Sequence, residues 1–120
     1  MAEIIDLKTF TDNRGNLTVI EKVIPFEIKR IFYIYGVDDS IRGGHRHHST
    51  RQAAICIQGV CSIYVNNGIT DKKFNLNAPN KCLLLEPCDW HTMSDFTPDA
   101  ILMVLASTHF DPADYIFENY

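Results

Sequence analysis

The sequence predicts an all-β domain, a jelly roll or related closed barrel, with a short helical turn near its C-terminus. Short runs of β-branched and aromatic residues recur along all 120 residues, Gly and Pro stand singly between them, and no repeat, linker or low-complexity tract intervenes. Closing many short antiparallel strands on themselves removes exposed edges, which favours a barrel over an open sheet. With 46% hydrophobic content, residues 1–120 form a single domain able to bury about two-thirds of its unfolded surface.

The strands are expected at 3–10, 16–21, 29–37, 52–58, 60–66, 70–76, 81–86 and 100–107. The first is apolar at Ile4-Ile5-Asp6-Leu7 and is a candidate for pairing with a partner's sheet edge. In the third, period 2 puts Ile31, Tyr33 and Tyr35 on one face and Arg30, Phe32 and Ile34 on the other. Tyr33 and Tyr35 are then either phenols aimed at a ligand in the barrel lumen or ordinary half-buried strand residues. Asn66-Asn67-Gly68 joins the fifth and sixth strands as a hairpin turn, since Asn and Gly tolerate positive φ. Asp111-Pro112-Ala113-Asp114-Tyr115 places an N-cap Asp before a Pro at the first helical position and predicts the terminal turn.

Composition excludes several roles. A net charge of -4 argues against a protein that wraps nucleic acid, which needs a basic footprint. The start, Met1 to Asp6, lacks the features of a signal peptide, and no apolar stretch approaches the roughly 20 residues of a membrane span, so a cytoplasmic protein is expected. The spacings of Cys56, Cys61, Cys82 and Cys88 match neither a zinc ribbon nor a redox pair; they read as free thiols, with Cys56 and Cys61 as small buried side chains.

Four of the five histidines fall in two clusters, Gly43-Gly44-His45-Arg46-His47-His48 and Glu86-Pro87-Cys88-Asp89-Trp90-His91. In an extended segment His45 and His47 project from one face, so both imidazoles can meet one ligand while His48 points away.

Gly44-His45-Arg46-His47, then Gln52 and Gly59, resembles the first cupin motif, and Glu86 to His91 resembles the second. Gln52 stands where the cupin carboxylate ligand would be, which weakens metal binding, and Cys88 stands where Gly is usual. Together with Asp12-Asn13-Arg14-Gly15-Asn16-Leu17, Ile31-Phe32-Tyr33-Ile34 and Trp90-His91, the pattern resembles the WxcM-like cupins, the dTDP-sugar 3,4-ketoisomerases. The resemblance implies a cupin-like jelly roll, no metal and no cofactor, and a homodimer with N-terminal strand exchange. It also implies a substrate, dTDP-4-keto-6-deoxyglucose, converted to a 3-keto-6-deoxyhexose for dTDP-3-amino sugars of surface glycans such as lipopolysaccharide or S-layer glycans.

Moving a ketone from C4 to C3 calls for proton transfer through an enediol(ate), work suited to imidazole. By similarity His45 is the carbon base, with His47 and Tyr33 orienting the sugar or relaying the oxygen proton. Arg14 would stabilise enolate charge, Arg46 would meet the diphosphate, and Gln52, His91 and Tyr35 would line the sugar pocket. Arg14 and His91 would also influence the C4 configuration, with a galacto product expected. Trp90 is read as packing, and His48 and His109 as surface or structural. Two other readings remain at this point: a metal-dependent dioxygenase using His45, His47 and His91 on iron, and a sugar-nucleotide-binding cupin without turnover.

Overall fold

The computed structural model describes residues 2–120. One five-stranded sheet runs in the order β1 (Glu3–Asp6), β9 (Lys81–Leu85), β6 (Gln52–Gln58), β11 (Ile101–Ala106), β4 (Arg30–Tyr35). A second runs β12 (Tyr115–Ile116), β5 (Arg42–His47), β10 (Trp90–Ser94), β7 (Cys61–Asn66), β8 (Asp71–Leu76). The remaining strands, β2 (Lys8–Asp12) and β3 (Gly15–Val19), pair only with each other and form an arm. Among the described residues no helix is long and apolar enough to cross a membrane.

The two sheets face each other across a core that includes Ile63, Leu76, Leu83, Leu102 and Val104, each at most 1% exposed. Burying such a side chain stabilises the fold by about 1.5–3 kcal/mol. A second cluster lies on the other side of the first sheet, where Ala53, Ile55, Cys82 and Leu105 are covered by Leu7, Ile20, Ile24 and Phe26. β6 is therefore buried on both faces over Gln52–Cys56, and its sequence reads as a continuous apolar run because neither face meets water.

The structure departs from the expected strands in three places. The single strand over 3–10 is broken at Leu7, whose side chain turns into the outer cluster while its N–H bonds to Asn80 O. β1 pairs with the chain's own β9 along one edge and is the terminal strand of its sheet, while β2 and β3 pair as a separate hairpin. β5 and β10, which carry the histidines, are strands in their own right. Their alternation of Gly, His, Arg and Thr lacks the apolar period that betrays a strand.

Asn66 to Asp71 forms a hairpin as expected, but with a four-residue loop: Asn66 pairs with Asp71, and the Asn67 side chain accepts from the N–H groups of Ile69 and Thr70. Only Gly68 takes positive φ there, so the tight primed turn does not form. The terminal turn is present as one 3-10 turn, Pro112–Asp114, capped by the Asp111 carboxylate accepting from Ala113 N–H.

Candidate active site

Register gathers the histidines. His91 on β10 pairs directly with His45 on β5, and both face the core between the sheets, as does His47 two residues on. The ring of His45 lies 5.1 Å from that of His47 and 5.0 Å from that of His91, with His47 and His91 6.4 Å apart. The paired glycines permit this closeness. Gly43 has φ +82°, and a Cβ there would sit 2.9 Å from His91 O, so only glycine lets β5 approach β10 at this point.

Each outer imidazole is held by its Nδ1. His91 Nδ1–H donates to Asp89 O (3.0 Å), and His47 Nδ1–H donates to Asp114 Oδ2 (2.9 Å). In both rings Nε2 is buried and has no protein partner. A carbonyl and an ionised carboxylate can only accept, so both rings carry the proton on Nδ1 and present a bare Nε2 lone pair inward. Asp114 is ionised: burial would raise its pKa, but hydrogen bonds from Thr50, Ser49 and His47 together hold it well below the usual carboxylate range.

Burial pushes His45 down to about 4, with the nearby His47 adding to the shift and the Gly43 backbone opposing it. His91 is likewise pushed down to about 4 by burial, against the Asp89 carbonyl. His47 is lowered by burial although Asp114 opposes it. All three are thus neutral bases at pH 7.

A pH dependence of stability follows. The unfolded chain protonates His45 and His91 below about 6.5 while the fold resists until about 4. Stability should be flat above 6.5 and fall between 6.5 and 4, by about 3 kcal/mol for His91 alone. Urea midpoints taken from pH 8 to pH 4 test this; a midpoint unchanged down to pH 4.5 would mean that the rings are charged in the fold.

A hollow of about 170 Å³ opens beside His45, lined by Phe32, Ile34, Arg42, Gln52, Met93 and Tyr115 among others. That volume is below the roughly 300–1,000 Å³ of sites that enclose a whole drug-sized ligand, so it suits one sugar ring. A larger open cleft of about 540 Å³ carries Asp38, Asp39 and Asp95 against a single Lys73, which disfavours a diphosphate. Among the described residues no three His, Cys, Asp or Glu side chains are grouped to hold a metal ion.

The structure brings together His45, His47, His91 and Gln52, and separates the other expected site residues. Tyr33 and Tyr35, 63% and 67% exposed, lie on the outer face of β4, because the inward face of that strand is taken by Arg30, Phe32 and Ile34. Of the two placements the sequence left open, the lumen-facing one is therefore not taken, and the site roles that the resemblance implied for Tyr33 and Tyr35 are not met within their own chain. The phenol beside the histidines is Tyr115, its ring 4.7 Å from both His45 and His47. Arg46 alternates outward from its histidine neighbours and is bound to Tyr120, with its guanidinium 4.2 Å from the ring centre and Nη1 2.9 Å from the hydroxyl. It does not reach the hollow. Arg14 sits at the tip of the arm, paired with Asp12 at 2.6 Å, with its side chain 86% exposed and outside its own chain's hollow.

Sequence reasoning missed Asp114 and Tyr115, and left Arg42 and Arg30 out of the site as solvated surface charges. Arg30 points inward with a buried Nε that has no partner and lies close enough to His47 to lower its pKa. Its inward parity was legible in the alternation of β4, whereas Asp114 and Tyr115 come from a segment that no motif tied to the histidines. Trp90 packs on Tyr64 on the outer face and donates to Phe117 O, and His48 and His109 are exposed, in line with their expected roles.

Comparison with known proteins agrees with this architecture. The family described as FdtA: WxcM-like, C-terminal, matches residues 1–120. The TDP-4-oxo-6-deoxy-alpha-D-glucose-3,4-oxoisomerase of Aneurinibacillus thermoaerophilus is 37% identical, over 98% of this chain and 88% of that protein. Among solved structures, the TDP-fucose-3,4-ketoisomerase WlaRA of Campylobacter jejuni is 39% identical over 98% of this chain and 89% of that one, with a TM-score of 0.90. A His-to-Asn mutant of the 3,4-ketoisomerase QdtA of Thermoanaerobacterium thermosaccharolyticum, in complex with TDP-4-keto-6-deoxyglucose, is 40% identical over 98% of this chain and 87% of that one, with a TM-score of 0.93.

Proposed function

We propose, from the premise that this chain belongs to the WxcM-like, C-terminal family (FdtA) and is an isomerase, that it converts TDP-4-keto-6-deoxyglucose into a TDP-3-keto-6-deoxyhexose. The observation that carries this reading is the convergence of three neutral imidazoles beside a hollow sized for one hexose.

The substrate holds a hydrogen on C3, a hydroxyl on C3 and a ketone at C4. His45 takes the proton from C3, giving an enediolate whose charge lies on O4. His47 takes the proton of the C3 hydroxyl and passes it to O4 as His45 returns its proton to C4, leaving the ketone at C3, a hydroxyl at C4 and both imidazoles neutral again. No electrons leave the sugar, so no redox partner is needed. Gln52, 3% exposed, can hydrogen-bond the sugar, and Arg30 and Arg42 are the cations placed to meet developing oxyanion charge.

The hollow in one chain leaves no room for the nucleotide, and the arm supports a solution. Phe10 and Leu17 are 54% and 60% exposed, and Ile31, Tyr33 and Tyr35 form an exposed apolar stripe on β4. Apolar surface of this kind marks an association site. The protein in our reading is a homodimer in which the arms exchange and Arg14 serves the partner's pocket. With Arg14 and His91 setting the face of C4 protonation, the product is galacto-configured, and its 3-ketone is the group an aminotransferase would take. Thiols that are all free suit a reducing, cytoplasmic setting.

The test is incubation with TDP-4-keto-6-deoxyglucose in deuterated buffer, followed by NMR. The expected result is loss of the C3 proton signal, deuterium at C4 and a 3-ketone carbon. A 4-keto sugar recovered unchanged would overturn the reading. In ordinary water a small H4–H5 coupling identifies the galacto product, and a large one the gluco product.

A further inference from the structure

Asp114 lies 67 residues from His47 in sequence and touches no part of the hollow, yet its carboxylate is the most heavily bonded side chain near the histidines. Oδ1 accepts from Ser49 N–H at 2.8 Å and from Ser49 Oγ–H at 2.9 Å, and Oδ2 accepts from Thr50 Oγ1–H and from His47 Nδ1–H. The backbone adds to this, since His48 N–H bonds to Asp114 O and β12 pairs Tyr115 with His47. The side chains of His47 and Asp114 are 2% and 8% exposed, so water does not compete for these bonds.

We infer that Asp114 is a positioning residue for the isomerisation: its buried carboxylate fixes the Nδ1–H tautomer of His47, so that the unpartnered Nε2 faces the sugar as a proton acceptor. The inference rests on the ketoisomerase reading for its chemistry, but the tautomer is a property of the ligand-free protein. An imidazole whose Nδ1 is pinned to an acceptor can only receive a proton at Nε2, and in receiving it becomes a cation stabilised by the same carboxylate. The groups around His47, namely His45, His91 and Arg30, are neutral or cationic and offer the new charge no anion of their own. Asp114 is therefore the counter-charge for the relay as well as its clamp.

The hydrogen-bond pattern predicts what asparagine would do in its place. Ser49 N–H is a fixed backbone donor and demands oxygen at the Oδ1 position, so the amide NH2 of Asn is driven to the Oδ2 position, facing Thr50 and His47. The Thr50 hydroxyl can rotate to accept. His47 must then accept at Nδ1 and carry its proton on Nε2, which reverses the group it presents to the sugar. The loss expected is of the kind seen when a triad aspartate becomes asparagine: geometry intact, tautomer wrong.

Two measurements test this. Long-range ¹⁵N NMR of the ligand-free wild-type protein should show His47 protonated at Nδ1 and bare at Nε2, and Asp114→Asn should show the reverse. In turnover of TDP-4-keto-6-deoxyglucose, Asp114→Asn should lower kcat about 10³-fold with KM within about threefold, a split that loosened packing alone would not give. A wild-type His47 protonated at Nε2, or an asparagine variant with unaltered kcat, overturns the inference. The wild-type spectrum decides the matter even should the variant not fold. Absence of turnover by wild-type protein would instead fall on the ketoisomerase reading and leave the tautomer result standing.

Discussion

Replacing His45 with asparagine should lower kcat by about 10³-fold or more while leaving the affinity for TDP within about threefold. His45 is the ring that touches both His47 and His91 and lines the hollow, so it is the imidazole that a sugar entering there would meet. Asparagine is close in size and keeps a hydrogen-bonding amide, so the cavity and the β5–β10 register should survive. What it lacks is a nitrogen that can take a proton and give it back. Circular dichroism and thermal melting would establish that the fold persists, calorimetry with TDP would give the affinity, and NMR of the product would give the rate. An asparagine variant retaining turnover within tenfold of wild type would remove His45 from the carbon proton transfer. A histidine variant that lost TDP affinity in step with turnover would mean that the ring binds and does not relay.

Mixing two inactive variants should restore activity. Arg14→Ala removes a guanidinium that lies at the tip of the arm, away from its own chain's hollow, and should reduce turnover about 10²-fold if the arm serves a partner. In a heterodimer of Arg14→Ala with His45→Asn, one site receives both intact residues and the other receives neither. Random reassociation at equal concentrations makes half of the dimers heterodimers, so about a quarter of wild-type activity should return. Co-expression of differently tagged chains and purification of the doubly tagged species gives the heterodimer alone, with one intact site in two, and about half of wild-type activity is expected of it. If each chain instead completed its own site, every site in the mixture would keep one defect and nothing would be regained; that outcome would sink the exchanged-arm dimer.

The barrel was legible in the sequence because its strands bury one face. Alternation in Arg30–Tyr35 and the apolar run through Cys56 and Cys61 are direct records of contact with the core. The direction of that alternation was not legible. Period 2 separates two faces without saying which is inside, and Tyr33 and Tyr35 fell on the outer one. The same ambiguity misled at Arg46: the alternation that turned His45 and His47 inward necessarily turned the residue between them outward. The histidine motif was readable as a unit because Gly43 and His45 sit within a few residues of one another, whereas Asp114 and Tyr115 reach the site only through long-range pairing of β12 with β5. Nothing local in Asp111 to Tyr115 announces that, since a cap aspartate and a proline account for the turn by themselves.

The distance along the chain between His47 and Asp114 also bears on how the protein is made. Translation delivers the histidines of β5 long before the carboxylate that orders one of them, and antiparallel neighbours so far apart close late. A nascent chain still held short of Asp111 carries every imidazole of the catalytic group but not the anion that aims His47. Chemical competence is thus conferred only once Asp114 has been made and β12 has paired with β5, and in our reading a product stopped before that point is idle toward nucleotide sugars whatever part of its barrel has already formed.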